Sequence, residues 1–349
     1  MSERKIFILT FSSCIAVILL LAFFTYTANK FKFNSDRPMD GIPGRLYSSI
    51  AIKKFNFNAI IAGSSMSQCF KCSEFDSAFG NKSIKLTLSA CNIAEIRFLL
   101  DSAGRYHKID RVMFDLSPMF LHIEQTLSNI EQGYYGENSD WFLFRKSFSF
   151  DFFTEAFEFV SRMCRGKVKY TNWDDIYRWD KTRRCAEKYF AKDVLYKAYT
   201  PSDYSSDKLI KKAEKNIADH LLPLLEKYSD TEFLIFFPPF SIMKYRGLNT
   251  DEYIKFKSRY IDVLLHAKNV KIYDFETAFQ ITGDFNNYKD LMHYSSKINS
   301  WMISCMKKGD YLVTRENKDI LLEKFRSRIS AYDYQKAYDR LKSVYGKNK

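Results

Sequence analysis

The chain of 349 residues predicts an α/β fold with a mainly parallel sheet, preceded by one membrane-spanning helix, and three observations carry that expectation. Five short apolar runs alternate with segments of helical period. Hydrophobic residues make up 46%, enough to build a packed core, which excludes a disordered chain. With only 12 Gly and 7 Pro against 32 Phe and 23 Tyr, the chain is neither collagen-like nor linker-dominated.

The elements follow in order. Residues 6–28 (IFILTFSSCIAVILLLAFFTYTA) carry no charge and are flanked by Arg4, Lys5, Lys30 and Lys32, so they are long enough to cross a bilayer as a helix. Tyr26, Thr27 and Ala28 make a poor cleavage site, and Cys14 lies too early in the run for lipoprotein processing, which points to an uncleaved signal anchor with its N-terminus cytoplasmic. Pro38, Gly41, Pro43 and Gly44 mark a short linker. Strands are expected at 58–62 (NAIIA), 84–88 (IKLTL), 111–116 (RVMFDL), 232–237 (EFLIFF) and 270–275 (VKIYDF), with helices near 94–106, 207–228 and 251–267. Residues 117–205, rich in aromatic and basic side chains and holding Trp141, Trp173 and Trp179, read as an insertion that caps one end of the sheet, its aromatics as local core. Apolar residues at helical spacing, from Leu321 and Phe325 to Tyr338 and Leu341, place one or two helices in the C-terminal segment 314–349.

Fifty-four Lys and Arg against 41 Asp and Glu leave a net charge of +13. That balance suits an anionic polymer or lipid headgroups, or simply a solvated surface, and the anchor disfavours nucleic acid as the partner. Beyond Cys14, six cysteines (Cys69, Cys72, Cys91, Cys164, Cys185 and Cys305) form an even set that an oxidising compartment would pair, with Cys164 and Cys185 the local choice. Cys69 and Cys72 spell CxxC, but no second CxxC or His pair lies near enough to complete a zinc site, and no metal or organic cofactor is expected.

The first strand ends in Gly63-Ser64-Ser65-Met66, a turn at the carboxyl end of a strand, where open α/β sheets bind ligands. A serine there needs a base, because a free hydroxyl attacks poorly. Of the five histidines, His107, His122, His220 and His266 fall in expected helices or in the insertion. His293 follows the last strand, three residues after Asp290, and one turn of chain would let that carboxylate accept from Nδ1 and leave Nε2 free for a serine proton. Alone, the serine also reads as a helix-capping turn residue and His293 as a histidine held for structural reasons. Phe237-Pro238-Pro239-Phe240 reads as a rigid strand exit that lines the cleft.

The order of these motifs resembles the SGNH (GDSL-like) hydrolase superfamily, and within it the membrane-anchored, extracytoplasmic DltD-like branch, where Gly-Ser-Ser replaces Gly-Asp-Ser. Residues 61–79 (IAGSSMSQCFKCSEFDSAF), 88–96 (LSACNIAEI), 236–242 (FFPPFSI) and 287–302 (NYKDLMHYSSKINSWM), with the trailing KGDY and TREN, are similar to successive motifs of one bacterial family in that branch. The resemblance covers nearly everything after the anchor except the aromatic insertion. It implies a flavodoxin-like three-layer α/β/α domain over 34–349. It makes Ser65 the nucleophile, with Ser64 standing in for Asp, His293 the base and Asp290 its orienting partner. It further implies acyl transfer or ester hydrolysis on a cell-envelope glycan or teichoic-type polymer, with an acylated donor, beside a multi-spanning membrane O-acyltransferase.

The sequence departs from that pattern where an oxyanion hole is expected. Ala90-Cys91-Asn92 lacks the customary glycine, so backbone N–H groups of Ser65, Ala90 or Cys91 and the side chain of Asn92 are the candidate donors. The third block, Phe114-Asp115-Leu116-Ser117, has no Asn. Losing one donor costs about 10²–10³ in rate, so the rival expectation is an inactive envelope assembly or polymer-binding protein on the same fold.

Overall fold

Strand formation follows the five apolar runs closely. The structure, a computed structural model, describes residues 3–34, 37–127, 132–196 and 207–346. The described residues hold β1 (Met39–Asp40), β2 (Ala59–Gly63), β3 (Ser83–Thr87), β4 (Arg111–Asp115), β5 (Lys169–Tyr170), β6 (Glu232–Phe237), β7 (Val270–Asp274) and β8 (Leu312–Val313). Two compact units result: Met1–Phe55 with Ser128–Asn172, and Asn56–Leu127 with Trp173–Lys349.

The second unit is built on a mostly parallel six-stranded sheet in the order β3-β2-β4-β6-β7-β8. All neighbours run parallel except β8, which closes the edge antiparallel to β7. Every residue of β2, and of β3 at the sheet's edge, is buried, as expected of parallel strands covered on both faces. The strand at Leu312–Val313 is two residues long, too short to carry a period, and leaves no signal in the sequence. The helix expected at 207–228 is broken: Asp207–Asn216 passes through a π-helical turn, Ile217–Leu221, into Leu222–Lys227. Pro223, which lacks an N–H and crowds the preceding turn, accounts for the break.

One buried charge inside this unit is fully paired. Lys257 is fully buried and bridges Asp274 (2.7 Å) and Glu276 (2.6 Å), while the hydroxyls of Tyr245 and Tyr253 donate to the same glutamate. The charged head is thereby spent on structure, at the carboxyl end of β7. The C-terminal segment forms two helices, Lys318–Ala331 and Tyr334–Gly346, as its apolar spacing predicts.

The first unit gathers the N-terminal helix Glu3–Phe33, the helix Gly44–Lys54, the helices Ser139–Lys146 and Phe150–Cys164, and the β1–β5 ladder. The N-terminal helix is long and apolar enough to cross a membrane, and 6% of its most apolar stretch is buried. The Lys53 ammonium donates to the carbonyls of Tyr134 (2.7 Å) and Gly136 (2.6 Å), tying the second helix to the segment beyond residue 131.

Two expectations need correction. Residues 117–205 do not behave as one insertion: 132–172 fold in the first unit and 173–196 in the second, while 128–131 and 197–206 lie outside the described residues. The cause is apolar burial, since Tyr134, Leu143, Phe152 and Phe159 find their core in the first unit, whereas Ile176 and Phe190 are buried in the second. The Cys164–Cys185 bridge is not formed; all seven cysteines are free thiols.

Candidate active site

The topology sets the place. From β2 the chain moves to β3 on one side and then to β4 on the other, which opens a crevice at the carboxyl ends of β2 and β4. Gly63 ends β2 with φ of +111°, in a region that L side chains avoid, and a Cβ there would stand 2.2 Å from Asp115 Oδ1. Glycine therefore lets the turn pass directly over the end of β4. Asp115 is half-buried and its carboxylate accepts from the Ser64 N–H (2.7 Å), the Ser64 hydroxyl (2.6 Å) and the Ser67 hydroxyl (2.6 Å). Burial pushes its carboxyl above the ordinary range, and these three hydrogen bonds oppose that rise.

This arrangement separates the two serines. Ser64 spends its hydroxyl on Asp115, while Ser65 Oγ lies 2.9 Å from His293 Nε2. On the far side of the ring, Nδ1 is 2.9 Å from each oxygen of Asp290. Asp290 Oδ1 also accepts from the backbone N–H groups of Met292 (3.0 Å) and His293 (2.8 Å), and Lys289 Nζ lies 3.2 Å from Oδ2. Burial would raise this carboxyl, but the His293 ring and the two N–H donors outweigh it and hold it well below the usual carboxylate range. Ser65, His293 and Asp290 thus form one hydrogen-bonded relay.

The loop that carries His293 is fixed from several directions. Tyr288 and Tyr294 form a bridge across its neck, and the Lys289 N–H donates to the His293 carbonyl at 2.9 Å. The Tyr288 hydroxyl donates to the Pro239 carbonyl (2.7 Å), and the Ser241 N–H donates to the Leu291 carbonyl (3.1 Å). The proline-rich exit of β6 therefore does more than end a strand: it is the frame against which the histidine loop is tied.

A cavity of about 390 Å³ opens on the Ser65 and His293 side chains. Its walls are mostly apolar, including Ile93, Ile96, Leu116, Phe120, Ile123 and Phe240. The cavity falls in the usual size range for small-molecule sites. A larger, more open depression of about 660 Å³ lies elsewhere on this unit, along Glu252–Arg259 and Asp319–Arg326, and touches none of these residues.

All four candidate oxyanion positions line the cavity. The Cys91 N–H donates to the Leu88 carbonyl (3.2 Å). Asn92 caps the helix Ile93–Ala103: its Oδ1 accepts from the Glu95 N–H (3.0 Å) and its amide donates to the Thr126 carbonyl (3.0 Å). Among the described residues no hydrogen bond takes the backbone N–H of Ser65 or of Ala90. Ala90 has φ of +53°, so an alanine occupies a left-handed position that favours glycine.

Three residues of the site escaped sequence reasoning. The Trp179 indole N–H donates to the Ser65 carbonyl (3.1 Å), and its ring meets His293 edge-on at 5.3 Å and 84°. Its neighbours Arg178 and Asp180 are paired at 3.0 Å, and both reach Ser296 at the start of the helix Ser296–Lys308. Lys85, buried within β3, donates to the carbonyls of Gln68 (3.2 Å), Asp174 (2.9 Å) and Ile176 (3.3 Å), and burial lowers its ammonium to about 8. It pins the serine turn and the tryptophan segment to one strand. Asp115, seen in the sequence only as the missing asparagine, holds the other serine. The CxxC thiols of Cys69 and Cys72 are both buried, and that burial pushes each up to about 12, which leaves them unreactive near neutral pH. No known family model matches the chain, and no curated protein matches its sequence.

Proposed function

We propose that the protein is a serine acyltransferase or esterase on an SGNH-like, flavodoxin-type three-layer domain, anchored in the cell membrane with its catalytic unit extracytoplasmic. The single observation that carries the reading is the Ser65–His293–Asp290 relay at the carboxyl end of the sheet. Asp290 holds Nδ1 protonated, so Nε2 accepts the Ser65 proton as Oγ attacks an ester carbonyl. The oxyanion that forms is met by the N–H groups of Ser65 and Ala90. Collapse expels the alcohol, which takes the proton back from Nε2, and leaves an acyl group on Ser65. A second hydroxyl, from water or from an acceptor, then repeats the sequence in reverse.

The apolar walls favour an acyl group over a sugar as the occupant of the cavity, because an unpaired hydroxyl buried there would cost about 1–3 kcal/mol. A cell-envelope glycan or teichoic-type polymer as acceptor, and a multi-spanning membrane acyltransferase as partner, rest on the motif resemblance and on the +13 charge. The test is mass spectrometry of the full-length protein mixed with activated esters of increasing chain length. An acyl adduct on the Ser65 peptide that turns over on adding a hydroxyl acceptor supports the reading; no adduct with any ester opposes it.

One observation favours a second reading. The Asn92 amide is spent on Thr126 and position 115 carries a carboxylate rather than an amide, so the hole offers backbone donors without a side-chain partner. On that reading the fold is an inactive envelope assembly or polymer-binding protein.

A further inference from the structure

The helix Phe150–Cys164 has two apolar faces where its own unit needs one. Phe152, Ala156 and Phe159 are buried in the first unit. Phe150 (77% exposed) and Phe157 (62%) are not, and Phe153, Val160 and Cys164 continue their stripe at helical spacing. The preceding helix, Ser139–Lys146, adds exposed Trp141 and Phe144, and the turn between the two adds Phe148. Exposed aromatics in such number on one hairpin mark an interaction surface.

The N-terminal helix gives that surface its depth. The hairpin descends along it, since Asp140 pairs with Lys30 and Phe144 meets Tyr26 at 6.5 Å. It then rises again, with Phe153 against Phe24 at 6.0 Å and Phe159 against Phe31 at 6.5 Å. Between helix and hairpin runs an apolar groove of about 450 Å³, lined by Leu21, Phe24, Phe153, Phe157 and Val160 among others. The uncharged run 6–28 spans about 34 Å at helical rise, against about 30 Å of hydrocarbon. With the run centred on the bilayer, Phe24 sits about 5 Å and Leu21 about 9 Å inside the hydrocarbon boundary, and Lys30 sits among the headgroups.

We infer that the hairpin 139–164 is a second membrane element that seats its tip, Phe148 and Phe150, in the interfacial layer of the same bilayer the anchor crosses. The inference rests on the anchor reading above. The chemistry of the tip fits that seat. Part of its backbone is satisfied from within, by the Ser147 N–H to Leu143 and Phe144 and the Ser149 N–H to Lys146, with the Ser149 hydroxyl capping the Phe152 N–H. Arg145, Lys146 and Asp151 flank the tip and limit its depth: the exposed Arg145 stem snorkels toward the headgroups, while the Lys146 ammonium lies over the Phe142 and Phe152 rings. Trp141, beside the Lys30–Asp140 pair, takes the belt position that tryptophan favours.

The test uses the full-length protein in phosphatidylcholine–phosphatidylglycerol vesicles, with a fluorescent unnatural amino acid placed singly at Ile15, Phe150 or Ile320. Nitroxide-bearing lipids and aqueous iodide serve as quenchers. The inference predicts quenching at 15 by deep nitroxides, quenching at 150 by shallow nitroxides with blue-shifted emission, and quenching at 320 by iodide alone. Lipid quenching at 15 combined with iodide quenching at 150 overturns the hairpin seat and leaves the anchor standing. A probe at 150 shielded from both quenchers also overturns it, because a protein partner then covers the tip. A probe at 15 open to iodide removes the anchor reading and the hairpin with it.

Discussion

Trp179 donates its indole N–H to the carbonyl of Ser65 at 3.1 Å and sets its ring edge-on to His293 at 5.3 Å. One side chain therefore touches both the Ser65 backbone and the His293 ring. Trp179→Phe keeps the ring contact and loses the hydrogen bond, which contributes about 1 kcal/mol. We expect turnover to fall about fivefold to tenfold with little change in KM, because the substrate contacts are untouched. Equal loss in kcat and gain in KM would mean that Trp179 shapes the substrate site instead.

Two substitutions of opposite sense probe the turns around the cavity. Ala90→Gly relieves a left-handed alanine and should raise stability by about 0.5–1 kcal/mol, read as a denaturation midpoint, with activity retained. Gly63→Ala drives a methyl into Asp115, 2.2 Å away, at φ +111°, so loss of soluble protein or of all activity is expected.

Asp290 ties stability to acid pH. Its carboxyl is held below the ordinary value of about 3.9, so it contributes stability that is complete above that value and is lost as pH falls toward the folded-state pKa. Asp115, raised by burial, acts in the opposite direction but is common to both proteins in a comparison of wild type with Asp290→Asn. The stability difference between the two should shrink as pH drops below about 4. At neutral pH the same variant should lose about 10⁴ in kcat, as expected when the orienting carboxylate of a triad is removed. A difference that is constant from neutral pH to acid would contradict the assignment.

Lys257→Met leaves Asp274 and Glu276 buried without their cation. A loss of about 3–5 kcal/mol in unfolding free energy is expected, measured by denaturant titration. A Lys257→Met/Glu276→Gln double variant should recover part of it, since the uncompensated charge is then smaller.

Central strands were legible in the sequence because parallel strands buried on both faces read as unbroken apolar runs; the expected and observed limits of 232–237 coincide. The break at Ile217–Leu221 was visible only as Pro223, whose effect depends on the turn before it. The pairing of Asp290 with His293 follows from a spacing of three, a local relation that sequence carries. Which serine faces the histidine does not, since Ser64 and Ser65 differ only in the direction that Asp115 gives them, 51 residues away from Ser64. Trp179 sat in a stretch rich in aromatic and basic residues, where composition marks core or surface without telling them apart. Its place depends on Lys85 holding Asp174 and Ile176 to β3, contacts that span about ninety residues and leave no periodic trace.

The central claim is that Ser65 is an activated nucleophile. The most direct measurement is fluorophosphonate labelling of the full-length protein in detergent, beside Ser65→Ala, Ser64→Ala and His293→Ala, each checked for folding by circular dichroism. The relay predicts labelling in the wild type and in Ser64→Ala, and none in Ser65→Ala or His293→Ala. Folded wild-type protein that does not label, in a preparation that also leaves the ester series unreacted, would contradict it and leave the fold as a binding scaffold.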